Sequence, residues 1–254
     1  DLRMSRGLGD VYKRQELQYI TEISLKSPAT MIPQAKNELK RMADMAQENL
    51  DRSIKGFLNQ SDEYLNKIYH REEDINNVSH AITDYLVKSN QLSLPLADQK
   101  ILGSMFYVVN DIERIGDHAE NFADYTKTEL KHNTGLTGDA KEEIKKMYEA
   151  VSKLLKLSLE SFMAQDGVNT QEDKLTEIAA LEASIDKMER RYQKHHIKRL
   201  AKGDCEPRAG LLFSDMLSEL ERIADHSVNI AYSMSDEDED EMLAAENEGL
   251  ATNN

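Results

Sequence analysis

The 254-residue sequence has no Trp, one Cys, four Pro, eleven Gly and five Phe. So small a stock of aromatics and turn formers leaves little for the core and corners of an all-β sandwich. The single cysteine, Cys205, excludes an internal disulfide and any cysteine-based zinc site, and suits a reducing compartment. It lies in a Gly-Asp-Cys-Glu-Pro turn with no neighbour that would stabilise a thiolate, so it reads as structural or incidental. No stretch reaches the roughly eighteen apolar residues of a membrane span, and the start lacks the apolar core of a signal peptide. The covered chain is therefore expected to be soluble. Because it opens on Asp rather than Met, it is expected to be a piece of something longer.

Basic residues are also scarce: 32 Lys and Arg face 47 Asp and Glu, a formal net charge of −15. That balance disfavours nucleic acid as a partner. The acidity is uneven. Residues 235–254 hold eight acids and no Lys or Arg, and without them the charge would be −7. This run is expected to be a disordered, solvating tail. The opening 1–15 is glycine-containing, slightly basic and without helical period; it reads as a translated scar and is set aside.

Helical periodicity fills the rest. A short linker helix carrying Ile20, Ile23 and Leu25 is expected within 16–33, stopped near Pro28. A long helix after Pro33 places Leu39, Met42, Met45, Ala46, Leu50, Ile54, Phe57 and Leu58 three and four apart. A turn at 59–62 precedes a helix from Leu65 towards Ser89, and Pro95 opens a third running to about Lys131. The glycine-rich 131–139 is the best domain boundary. Three more helices are expected at about 139–165, 171–201 and 207–233, started by Asp139 with Glu142, by Thr170 with Asp173, and by Asp204 before Pro207.

The second trio repeats the first. Residues 35–42 (AKNELKRM) match 140–147 (AKEEIKKM) at an offset of 105, and Phe57-Leu58 match Phe162-Met163 at the same offset. Glu72 and Ile75 match Glu182 and Ile185 at an offset of 110, and 113–118 (ERIGDH) match 221–226 (ERIADH) at 108. The fold class is all-α: two tandem three-helix bundles, at 34–132 and 139–233.

The repeat carries acids in matched places. Asn110, Glu113, Asp117 and Asn121 have the same spacing as Ser218, Glu221, Asp225 and Asn229, and each set lines one helix face. The middle helices add Glu182 with Asp186, and Glu72 with Asn76 where the first copy lacks the second carboxylate. If middle and third helices pack antiparallel, four carboxylates face each other, and they repel unless protonated or neutralised by a cation. An oxygen-rich set suits Mg²⁺, Mn²⁺ or Ca²⁺, with iron as a further choice. The bland reading is a pair of exposed acidic faces balanced by Arg114 and Arg222. His118 and His226 point about 100° from the preceding Asp, which suits support of ligands rather than ligation. His195 and His196, among lysines and Arg199 near a helix end, read as helix-terminal charge. A ferritin-like di-iron centre needs two Glu-x-x-His pairs, and only Glu129 with His132 matches. No phosphate-cradling glycine loop, nucleophile elbow or Cys/His arrangement is present, so no enzyme activity is expected.

The two copies, ERIGDHAEN and ERIADHSVN on a duplicated three-helix frame, resemble the signature of the PhoU family over about 34–233. The segment ITEISLKSPAT with Gln34-Ala-Lys is similar to the linker before the PhoU-like domain of bacterial Na⁺/phosphate cotransporters. The resemblance implies a multinuclear metal site on Glu182, Asp186, Glu221 and Asp225, and a second on Glu72, Asn76, Glu113 and Asp117 that binds more weakly, or not at all, for want of a carboxylate at Asn76. His118, His226, Asn121 and Asn229 would support those ligands. It implies a regulatory domain of phosphate transport and homeostasis, cytoplasmic and tethered to the inner membrane as the C-terminal part of a sodium-dependent symporter. The alternatives are a free-standing adaptor acting on a separate phosphate transporter, a metal-dependent hydrolase, and a metal-free helical scaffold. A homodimer is compatible with each.

Overall fold

A computed structural model describes residues 17–20, 28–132, 135–164 and 168–233. Six helices follow in order: α1 (Pro28–Leu58), α2 (Leu65–Asn90), α3 (Leu96–His132), α4 (Gly138–Met163), α5 (Val168–Lys202) and α6 (Pro207–Tyr232). The first three form one up-down-up bundle and the last three another, as the repeat requires. The proposed scar and the acidic tail lie outside the described residues.

The apolar residues spaced along α1 form its buried stripe. Leu39, Met42, Leu50 and Phe57 are fully buried and meet Ile75, Ile82 and Leu86 of α2 and Val108, Ile112, Ile115 and Phe122 of α3. Phe162 holds in α4 the place that Phe57 holds in α1, and both are buried. Burying an aromatic or aliphatic side chain of this kind contributes about 1.5–3 kcal/mol, so matched stripes give each unit a matched core.

Several boundaries differ from the expectation. Residues 17–20 are not helical, and 21–27 lie outside the described residues. Helix α1 already starts at Pro28 and runs through Pro33, so 28–33 belongs to the first bundle rather than to a linker. Pro33 sits early in the helix, where its missing N–H costs one ladder bond. The strap 17–20 is held from α1: the amides of Gln18 and Tyr19 donate to Glu38 Oε2 at 2.9 and 2.7 Å, and Ile20 enters the core. The cap of α4 is Thr137, whose hydroxyl accepts from the Ala140 amide at 3.3 Å; Asp139 lies inside the first turn. Thr170 falls inside α5, and Pro207 at the first position of α6 moves its cap from Asp204 to Glu206.

The units meet along two pairs of helices, α1 with α4 and α3 with α6. Gln47 Nε2 donates to Ser152 Oγ at 3.2 Å, while one turn further along α1 Asp51 accepts from Tyr148, one turn earlier on α4. Rising positions on one helix meet falling positions on the other, so the pair is antiparallel. Lys36 Nζ donates to the Phe162 carbonyl at 3.0 Å, satisfying an end carbonyl of α4 that the helix itself leaves without a donor. Burial lowers the pKa of that Lys36 ammonium. The antiparallel contacts relate the units by an approximate twofold, with α2 and α5 on the flanks.

Candidate functional site

The acids chosen by spacing come together as two separate seams, one per unit. In the first, Glu72 of α2 is 3% exposed and packs against α3. A Cβ on Gly116 would lie 2.7 Å from Glu72 Oε2 and 3.3 Å from Ile75 Cγ2, so glycine makes the space for this carboxylate. Neither oxygen of Glu72, nor Oδ1 of Asn76 one turn along, has a hydrogen-bond partner among the described residues. Burial, then the charges of Asp117, Glu120 and Glu113, push the Glu72 carboxyl up to about 8. Glu113 is partly satisfied, accepting from Ser79 Oγ at 2.6 Å, and Asp117 pairs with Arg114 at 3.2 Å.

In the second seam Glu182 and Glu221 are half-buried and Asp225 is exposed. Burial raises Glu182, with Asp225 and Asp186 adding to it. Burial and the charges of Asp225, Glu189 and Asp186 raise Glu221, against Arg222. Burial also raises Asp225, with His226 opposing and Asp186 assisting. Asp186 pairs with Arg190 at 2.9 Å. Ala224 stands where the first unit has Gly116. Among the described residues, no three His, Cys, Asp or Glu side chains stand close enough as placed to hold a metal ion. The donor set still suits a hard cation in the first seam, where three buried oxygens have no proton donor.

The motif histidines turn to the opposite unit. His118 Nδ1 contacts Glu219 Oε2, which also accepts from Asn121 Nδ2 at 3.1 Å, and Tyr125 OH reaches Oε1 at 3.3 Å. By the twofold, His226 Nδ1 meets Asp111 Oδ1 at 2.8 Å and Asn229 Nδ2 approaches the same oxygen at 3.5 Å. The two imidazole rings lie 5.6 Å apart between these pairs. Burial works against the Glu219 charge, but the hydrogen bonds from His118, Asn121 and Tyr125 hold its carboxyl below the usual range. An ionised Glu219 can only accept, so the His118 Nδ1 carries the proton. Thus His118, Asn121, His226 and Asn229, expected beside the carboxylates of their own units, each have a partner in the other unit.

Asp111 and Glu219 were missed by sequence reasoning. Their signal was present: each stands seven residues before a motif histidine, at the repeat offset of 108. Glu120 and Glu189, which join the seams, carried no such signal. At the other predicted positions, His195 pairs with Glu143 at 2.6 Å, and His196 is buried against Phe213.

A duplicated three-helix bundle with an acidic seam in each copy and reciprocal His–acid contacts between copies defines a two-repeat all-helical class. The PhoU domain matches this chain at residues 39–126 and again at 144–234, one match per unit. The chain belongs to the PhoU family. It is 20% identical over 196 residues to the phosphate-specific transport system accessory protein PhoU homolog 1 of Thermotoga maritima, covering 77% of this chain and 82% of that protein. It is 23% identical over 199 residues to the corresponding PhoU homolog of Clostridium acetobutylicum, covering 78% and 87%. The crystal structure of PhoU from Pseudomonas aeruginosa superposes with a TM-score of 0.70 at 20% identity, covering 78% of this chain and 92% of that one. That of the phosphate transport system regulatory protein PhoU from Streptococcus pneumoniae gives 0.71 at 20% identity, covering 82% and 97%. These two likenesses establish the fold.

Proposed function

We propose that this chain is a regulatory, non-catalytic component of phosphate transport that restrains a phosphate transporter in the membrane. The observation that carries this reading is the PhoU-domain match in both units, together with relatives named as accessory proteins of phosphate-specific transport. Those relatives are matched along most of their own length, which supports the free-standing adaptor with a separate transporter as partner. Their names do not extend to a sodium symporter. No helix among the described residues is long and apolar enough to cross a membrane, so the action on a transporter is exerted by a surface. Two bundles locked by polar contacts offer a rigid one, and a rigid partner that binds one transporter conformation better than another shifts the population towards it.

The proposal includes a hard divalent cation or iron in the seams. Glu72, Asn76, Glu113 and Asp117 would hold it in the first, and Glu182, Asp186, Glu221 and Asp225 in the second. Such an ion would supply positive charge between acidic helices that otherwise repel. Support comes from the buried oxygens of Glu72 and Asn76, which have no donor among the described residues. The charge count alone favours the second seam; burial favours the first.

Two experiments test this. Deleting the gene in its host is expected to raise uptake of radiolabelled phosphate several-fold in phosphate-replete medium; unchanged uptake overturns the regulatory reading. Titrating Mn²⁺, Mg²⁺ or Fe²⁺ into chelator-treated protein is expected to raise the melting temperature of the wild type more than that of Glu72→Gln. Equal stabilisation of the two overturns the cation at the first seam, and no stabilisation of either leaves a helical scaffold.

A further inference from the structure

The two units differ at their tips, where the second helix of each bundle turns into the third. The approximate twofold, with α3 and α6 antiparallel, sends these tips to opposite ends of the molecule. Both expose aliphatic side chains: Val87, Leu92 and Leu96 at the first, Ile197, Leu200 and Leu211 at the second. Ile197 is 62% exposed and Leu211 66%, on a chain with ample core to hide them.

Charge separates the tips. Between residues 84 and 103 there are two cations and two acids; between the matching 194 and 211 there are five cations and two acids. This is a local basic excess on a chain of net charge −15. Lys194, Ile197, Lys198 and Lys202 fall on one face of α5, and Arg208 and Leu211 on one face of α6; all are exposed. Leu200 bridges the helices, its Cδ2 lying 3.3 Å from where a Cβ on Gly210 would be. Arg199 is committed to Glu143, and Lys198 borders the same depression, which Asp139 and Glu142 also line. Lys194, Lys202 and Arg208 remain as outward cations, with the exposed Asp204 and Glu206 in the turn between them, a net excess of one positive charge.

The helix end does not need those cations for capping. Gly203 adopts φ 75° in the left-handed region. Its amide donates to the Leu200 carbonyl at 3.0 Å, and the Asp204 amide to the Arg199 carbonyl at 2.9 Å. This backbone motif closes α5 by itself, so the outward lysines and Arg208 are not needed to cap the Arg199 and Leu200 carbonyls.

We propose that the second tip is a docking surface for an anionic lipid bilayer. Aliphatic side chains flanked by Lys and Arg are what an interfacial element uses: the former enter the acyl boundary, the latter meet the headgroups. The tip is the end of a hairpin, and three separate aliphatic side chains offer much less than the roughly 800 Å² per partner of a stable protein interface. A bilayer accepts them one at a time. A second copy docked tip to tip would set Lys194, Lys202 and Arg208 against their own copies, with only Asp204 and Glu206 on each chain to offset them. The overall acidity does not prevent docking, because charges further than a screening length of about 8 Å are weakly felt at physiological salt. Helix α6 has 26 residues, so its far end stands tens of Å away at about 1.5 Å per residue. The inference does not rest on the phosphate-transport reading; lipid docking and phosphate uptake are measured separately.

The test is co-sedimentation of the full chain with vesicles of phosphatidylcholine alone and of phosphatidylcholine mixed with phosphatidylserine. Binding is expected only to the mixed vesicles and weaker at high salt. Each of Lys194→Ala, Lys202→Ala and Arg208→Ala is expected to weaken it about fivefold, and Ile197→Ser with Leu211→Ser by about tenfold or more. These side chains are exposed, so circular dichroism and melting temperature are expected to match the wild type. Val87→Ser with Leu96→Ser at the first tip is expected to leave binding unchanged. No preference for mixed vesicles, or equal binding by the second-tip variants and the wild type, overturns the proposal. So does analytical ultracentrifugation showing a dimer that Leu211→Ser dissolves, which would assign the face to a second copy.

Discussion

The two carboxylate seams derive from one repeated unit, yet they solve the same electrostatic problem differently. In the first, Gly116 leaves room for Glu72 to sink beneath α3, where both oxygens lack a donor among the described residues. In the second, Ala224 occupies the equivalent place, Glu182 stays half-buried, and Asp225 faces solvent. Where the first unit has Gly116 and the second Ala224, the middle-helix carboxylate is buried in one and half-buried in the other. Counting acids favours the second seam as the stronger cation site. Counting unsatisfied oxygens favours the first, because a buried acceptor without a donor gains more from a cation than one already hydrated.

The contacts between units show the same asymmetry and carry the largest expected effect. The two acids are equally buried, Glu219 at 10% and Asp111 at 9% exposed, but Glu219 also accepts from Asn121 and Tyr125, whereas Asp111 has only Asn229 at 3.5 Å beside its histidine. Removing one member of a buried pair strands the other, at a cost of about 3 kcal/mol or more. His226→Ala, which strands Asp111, is therefore expected to lower the unfolding free energy by about 3 kcal/mol in urea denaturation, and His118→Ala, which leaves Glu219 two donors, by about 1–2 kcal/mol. Equal losses would break the distinction between the two sides of the twofold.

Next in size is the pH response of Glu72 in chelator-treated protein. Its carboxyl is raised from 4.5 to about 8 in the folded chain, so the folded state binds a proton more tightly than the unfolded one. Stability is then full below the unfolded value, falls as pH rises between the two, and is lowest above the folded value. Glu72→Gln removes that loss. It is expected to stabilise the protein by roughly 2–3 kcal/mol at about pH 8.5 and by almost nothing at about pH 4. Glu182→Gln is expected to act in the same direction but less, since its carboxyl stays half in water. Glu219 has the opposite sign. Its lowered carboxyl contributes stability above the unfolded value that is lost on acidification through the folded one, so Glu219→Gln is expected to flatten the acid limb of the pH–stability curve.

Smaller effects sharpen the comparison at single atoms. Gly116→Ala places a methyl group against the end of a flexible Glu72 side chain. Its stability is expected to change by no more than about 1 kcal/mol, because displacement of the carboxylate is offset by better helix propensity. The informative readout is the Glu72 carboxyl titration by NMR, expected to move back towards the usual range. Thr137→Ala removes the hydroxyl that caps α4 and is expected to cost about 1 kcal/mol by thermal denaturation.

Much of this molecule was legible in its sequence. Six helices, the duplication and the break between units all follow from three-and-four apolar spacing and from offsets between matched letters. The acids of each seam were found the same way, since residues three, four and seven apart share a helix face wherever the helix goes. The errors were local. Thr137 rather than Asp139 caps α4 because the hydroxyl two residues earlier reaches the amide, and α1 absorbs Pro33 because one missing bond near a helix start is tolerated. The role of the motif histidines was not legible. Nothing in their own helix announces a partner about a hundred residues away, and Asp111 and Glu219 read as ordinary surface acids until α3 and α6 are laid together.

Helix periodicity is a short-range property, set by backbone geometry over a few turns, so the sequence by itself determined the all-α class, the two units and the acidic faces. Which of those acids lost its water depended on what packed over it. Tertiary structure decided that Glu72 is buried and Asp225 is not, that the motif histidines join the units, and that Arg199 is drawn to Glu143 while Lys194, Lys202 and Arg208 stay outward. Each of these depends on distance between helices, and desolvation and Coulomb energy change over a few ångströms that no local spacing records.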